Sequence, residues 1–100
     1  MKVTAILGSP RARANSALAA QRVLAAAERA GAQTQTFPLA AMSYNGCTAC
    51  NACKSRTDHC ILQDDVTAAL HAFLEADAVV LASPVYYGDV AGQFKLFFDR

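Results

Sequence analysis

At 100 residues, with 54% hydrophobic and 17% charged side chains, the chain has the composition of one globular domain rather than of a disordered segment. A formal net charge of +1 argues against nucleic-acid binding, which needs a basic stripe, and no apolar run approaches the ~18 residues of a membrane span. Met1 to Leu7 is charged and then apolar, but it is too short for a signal-peptide core and Gly8-Ser9-Pro10-Arg11 is unlike a cleavage site, so the expectation is a cytoplasmic protein.

Val3 to Leu7 is short, β-rich and continuously apolar, which predicts a strand covered on both faces of a parallel sheet. Gly8 to Asn15 reads as a loop, and Asn15 or Ser16 is expected to cap the helix that follows. In that helix Ala20, Val23, Leu24, Ala27 and Ala30 make the apolar stripe, and Gly31 stands where a left-handed C-terminal cap belongs. Gln33 to Leu39 is of mixed polarity and carries Pro38, which places it at a sheet edge because proline has no N–H for the ladder.

Residues 40–63 show no periodicity and hold every cysteine, and a loop of this length inside a small domain is functional or disordered. A second helix is expected to open at Asp64 and Asp65 and to bury Val66, Ala69, Leu70, Phe73 and Leu74. Ala78 to Ala82 is a second continuously apolar run, expected as a central parallel strand, and Ser83 to Gly88 is a turn. Val90, Phe94, Phe97 and Phe98 begin a third helix that runs to Arg100. Alternation of this kind predicts a doubly wound α/β sheet in the flavodoxin-like order 2-1-3-4-5, with strand 2 at an edge and strands 1 and 3 central.

Three segments carry chemistry. Gly8 to Ser16 joins a buried strand to a helix start, where free N–H groups and the helix dipole favour a phosphate. Ser9, Asn15 and Ser16 add neutral donors and Arg11 a charged planar one; the alternative is an ordinary capped turn. The stretch lacks both the Gly-Lys-Ser/Thr of a P-loop and the Gly-x-Gly-x-x-Gly of a dinucleotide site. Ser83-Pro84-Val85-Tyr86-Tyr87-Gly88 follows the next central strand and offers backbone and aromatic surface to a flat ring, or simply packs at the rim.

Cys47, Cys50, Cys53 and Cys60 form the third. Three cysteines at intervals of three with a fourth close by resemble the compact spacing of iron–sulfur ligands. Structural zinc favours two separated pairs, a redox Cys-x-x-Cys does not use four, and four reduced thiols remain the alternative. Asp64 and Asp65 read as helix caps rather than as an acid–base pair, His59, Arg13 and Lys54 as solvated loop residues, and His71 as exposed.

Taken together, the Gly-Ser-Pro-Arg loop closed by Asn-Ser, the cysteine segment leading into Asp-Asp, Ser-Pro-Val-Tyr-Tyr-Gly and Gln-Phe-Lys-Leu-Phe-Phe-Asp-Arg resemble the NADPH-dependent FMN reductase family and its iron–sulfur flavoprotein subset. The resemblance covers essentially the whole chain. It implies that Ser9, Arg11, Asn15 and Ser16 hold the FMN phosphate, that Pro84, Val85, Tyr86, Tyr87 and Gly88 lie against the isoalloxazine, and that Cys47, Cys50, Cys53 and Cys60 bind a [4Fe–4S] cluster. It further implies NAD(P)H as electron donor, a small-molecule or redox-protein acceptor, and a homo-oligomer.

The chain departs from the family pattern at Arg13 and Ala14, where glycines are common. The family continues with two further strands, so residues 1–100 correspond to the N-terminal part of one domain, truncated after the third strand and the start of the third helix. Phe94, Phe97 and Phe98 are then expected to lack cover. The other readings are a flavodoxin-type electron carrier without enzymatic activity and a zinc-stabilised or inactive fragment.

Overall fold

The computed structural model describes all of residues 1–100. Strand β1 (Lys2–Leu7) pairs in parallel on both sides, with β2 (Gln33–Pro38) and with β3 (Ala78–Ala82), in the order β2-β1-β3. Its neighbours are in continuous register, Val3 opposite Thr34 and Ala78 and Leu7 opposite Pro38 and Ala82. Both faces of β1 are covered, as its unbroken apolar sequence requires. Helix α1 (Asn15–Arg29) lies on one face, over Val3, Ala5 and Leu7, while α3 (Thr67–Glu75) and α4 (Gly92–Phe98) lie on the other, around Ile6. Thr4 is the buried polar residue of the strand, and its hydroxyl is satisfied by Ala72 O at 3.2 Å.

Alanine-rich α1 combines high helix propensity with small side chains that approach the sheet closely. Its buried row is Ala17, Ala20 and Leu24, whereas Val23 is 52% exposed and Ala30 is also exposed, contrary to the expected stripe. Each residue advances a helix by about 100°, so Val23 lies too far round to meet β1. The helix ends in a complete Schellman motif, Gly31 N donating to Glu28 O and Ala32 N to Ala27 O, with Gly31 at φ +92°.

The other elements depart from the sequence expectations in informative ways. A 3-10 turn (Leu39–Ala41) and a one-turn helix α2 (Ala52–Ser55) punctuate the long loop. Helix α3 begins at Thr67 with Val66 as its cap and buries Val66 and Ala69, but Leu74 is exposed. Neither Asp64 nor Asp65 caps it; both carboxylates have tertiary partners described below.

Residues 85–90 form a small antiparallel hairpin rather than a plain turn, β4 (Val85–Tyr86) against β5 (Asp89–Val90). Tyr87 and Gly88 at its tip both have positive φ, +48° and +81°, as a two-residue hairpin turn requires. Val90 therefore belongs to the hairpin, and α4 ends at Phe98 before Arg100.

Strand β3 is central in sequence character but has β1 on one side only, so Leu81 is 47% exposed. Phe94 and Phe97, expected to lack cover, are buried against Ile6, Leu39, Val66 and Ala69, and only Phe98 is exposed. Each buried phenylalanine contributes on the order of 1.5–3 kcal/mol of apolar transfer.

Candidate functional site

The loops after β1 and β3 meet at the carboxyl edge of the sheet, the place where open α/β sheets bind ligands. Gly8 N donates to Ala82 O at 2.7 Å, so the two strands stay paired to their ends. The fit is close, since a Cβ at Gly8 would approach Phe94 side-chain atoms to 3.0 Å and require that ring to shift. Gln93, at the start of α4, donates from Nε2 to Gly8 O at 2.6 Å, and Ala91 N donates to Ser83 Oγ at 2.9 Å. Helix α4 thus holds both loops.

The start of α1 is the notable chemical feature of this edge. Ala14 occupies the cap position, no side chain caps the helix, and its first turn has no acidic residue. Asn15 and Ser16 lie in that first turn rather than outside it as caps. The first intrahelical bond is Leu18 N to Ala14 O, which leaves the preceding amides without a helical acceptor. A 15-residue helix left open in this way presents its positive end to whatever sits beyond the sheet.

Ser9 is buried, its hydroxyl accepting from Arg11 N at 3.2 Å, while the Arg11 side chain is exposed beside the opening. Across the edge, Pro84 is half-buried and Val85, Tyr86, Tyr87 and Gly88 are exposed, Tyr87 fully so. The two expected loop groups therefore share one edge of the sheet.

Of the four cysteines, Cys53 and Cys60 lie on the side of α3 and α4. All are free; Cys47, Cys50 and Cys53 are exposed and Cys60 is half-buried. Ala49 and Asn51 both adopt left-handed φ, +57° and +60°, and so turn the chain sharply on either side of Cys50. Ala49 N donates to Cys47 Sγ at 3.3 Å and Arg100 Nε to Cys60 Sγ at 3.4 Å. The segment thus carries four unbridged thiols, two of which receive N–H donors. No three Cys, His, Asp or Glu side chains gather closely enough to hold a single ion.

Beside the loop opens a cavity of about 370 Å³ whose walls include Cys53, Cys60, His71, Phe73, Phe97 and Arg100. His71 is exposed and meets His59 edge to face, with ring centroids 6.2 Å apart. His59 Nδ1 lies 2.8 Å from Asp58, and that hydrogen bond holds the Asp58 carboxyl below its usual range.

Sequence reasoning passed over the polar side chains that fasten the cysteine loop. Asp65 accepts from Ser43 N at 2.7 Å, Asp64 pairs with Arg100, and Tyr44 donates to Gln93 O. Burial opposes the Arg100 charge, but the hydrogen bonds to Asp64 and Cys60 outweigh it and hold the guanidinium above its ordinary value. The legible signal was an arginine two residues past an apolar helix, with aspartates already in view.

A parallel 2-1-3 sheet covered on both faces, with two loops converging at its carboxyl edge, defines a flavodoxin-like α/β protein. The chain belongs to the NADPH-dependent FMN reductase family, whose model matches residues 1–100. It is 41% identical over its full length to an iron-sulfur flavoprotein of Methanocaldococcus jannaschii, covering 51% of that protein. It is also 37% identical to one of Archaeoglobus fulgidus, covering 45%, and 35% identical to one of Methanosarcina thermophila, covering 52%. The chain thus spans about half the length of these relatives. No solved structure matches it significantly, and no helix is long and apolar enough to cross a membrane.

Proposed function

We propose that this chain is the flavin-anchoring half of an oxidoreductase that takes electrons from NAD(P)H and passes them, through FMN and a [4Fe–4S] cluster, to a small molecule or redox protein. The observation that carries the reading is the uncapped start of α1 at the carboxyl end of β1. There the open amides and the Ser9, Asn15 and Ser16 side chains hold the FMN phosphate, with Arg11 adding a charged donor at the rim. Pro84, Val85, Tyr86, Tyr87 and Gly88 present backbone and aromatic surface to the flavin ring. Bound flavin supplies hydride and single-electron chemistry, so the absence of an assignable acid–base constellation among the side chains is in keeping with the reading.

Cys47, Cys50, Cys53 and Cys60 are the cluster ligands in this proposal, supported by the donor set and by the names of the relatives. The working form is a cytoplasmic homo-oligomer. The residue test is Arg11→Ala, with FMN and riboflavin affinities compared by flavin fluorescence. FMN binding weakens by about 1.5–3 kcal/mol, the worth of a hydrogen bond to a charged group, while riboflavin binding holds. Equal losses for the two ligands would remove Arg11 from the phosphate site.

A further inference from the structure

Arg100 has no place in the chemistry above, yet its side chain is fully covered and every one of its guanidinium nitrogens is engaged. Nε donates to Cys60 Sγ at 3.4 Å, Nη1 to Asn45 O at 3.1 Å and to Asp64 Oδ2, and Nη2 to Leu62 O at 3.1 Å. These partners lie at both ends of the cysteine segment, Asn45 two residues before Cys47 and Leu62 two residues after Cys60.

The arginine lies two residues past the end of α4, a helix anchored by buried Phe94 and Phe97. At the other end of the same helix, Gln93 accepts from Tyr44. The loop is therefore drawn onto α4 at its entry by Tyr44 and Asn45, and at its exit by Cys60, Leu62 and Asp64.

We infer that Arg100 is a positioning residue for the cysteine loop, clasping its two ends together and directing one N–H at the Cys60 sulfur. The sulfur-directed half rests on the reading of the cysteines as cluster ligands. A planar guanidinium suits this task because one rigid fork reaches four acceptors in different directions; a lysine ammonium on its flexible stem reaches fewer. Asp64 balances the buried charge, as a covered cation requires. An N–H donor and a positive charge beside a ligand sulfur favour the more reduced state of an iron–sulfur centre and raise its potential.

The test compares wild type with Arg100→Met and Arg100→Lys in two measurements. In the metal-free chain, amide hydrogen exchange over residues 43–65 should quicken about tenfold in R100M, the scale of one lost hydrogen bond to a charged group, and in R100K by less. Unchanged exchange in β1 and α1 shows that the variants fold. After anaerobic reconstitution, the cluster potential should move to more negative values in R100M and only part of the way in R100K.

Loop exchange indistinguishable from wild type in R100M would overturn the clasp. R100K matching wild type in both measurements would overturn the fork geometry. A shifted exchange rate with an unmoved potential would leave a structural clasp and overturn the role at the sulfur. A wild-type chain that takes up no iron or sulfide would sink the cluster reading and the sulfur-directed half with it, while the exchange comparison still decides the clasp.

Discussion

Tyr44 shows how one side chain joins two parts of this fold. Its hydroxyl donates to Gln93 O at the start of α4, and both burial and the nearby Asp64 carboxylate push its pKa above the ordinary 10.0. The folded chain therefore holds the phenolic proton more tightly than the unfolded chain does. The contribution is fully present below about pH 10 and is lost as pH rises through the folded value, because only the unfolded state then gains by ionising. Thermal melts from pH 8 to pH 11 should fall less steeply for Tyr44→Phe than for wild type. At neutral pH the variant should be destabilised by about 1 kcal/mol for the lost hydrogen bond. Parallel alkaline limbs for the two proteins would show that folding does not raise the Tyr44 pKa.

At the scale of elements, the open end of α1 sets local stability against binding. A cap would stabilise the helix, yet Ala14 provides none and no acid offsets the dipole in the first turn. Asn15→Asp should raise the stability of the ligand-free chain by about 0.3–1 kcal/mol through the dipole and weaken FMN binding by placing a negative charge beside the phosphate. A calorimetric melt and an FMN titration on the same variant check both signs. A gain in stability with unchanged FMN affinity would move the phosphate away from this helix.

Much of this was legible. A glycine after the last helical residue, a proline in a strand and two unbroken apolar runs each carry their own local constraint, and Gly31, β2 and the β1–β3 pairing appear where those constraints place them. Helix starts were less legible. Asn15, Ser16, Asp64 and Asp65 all favour capping in isolation, but the observed caps are Ala14 and Val66. Arg100 and Ser43 N offered the two aspartates stronger tertiary partners, and those partners cannot be seen in a local window.

Across the whole molecule, the exposed feature is the free edge of β3, with Val79 and Leu81 partly uncovered on the face they share with Ile6. Unpaired strand edges carrying apolar side chains invite another strand. Analytical ultracentrifugation of the 100-residue chain should show concentration-dependent self-association. Leu81→Lys should reduce it while changing stability by no more than about 0.5 kcal/mol, as expected at a half-exposed site. A monomer at all concentrations would mean that this edge is quiet despite its composition.

The sequence by itself determined the α/β order, the edge position of β2, the loop between β1 and α1 and the spacing of the cysteines, because each depends on periodicity or on one residue's backbone chemistry. Only the tertiary structure decided that Phe94 and Phe97 are core, that Leu74 and Val23 face solvent, and that Arg100 gathers both ends of the cysteine loop. Those outcomes depend on which surfaces meet across 36 to 55 residues of chain, as in the Arg100 contacts. Burial of a helix face, or of a lone cation, is a property of the partner it finds rather than of the segment that bears it.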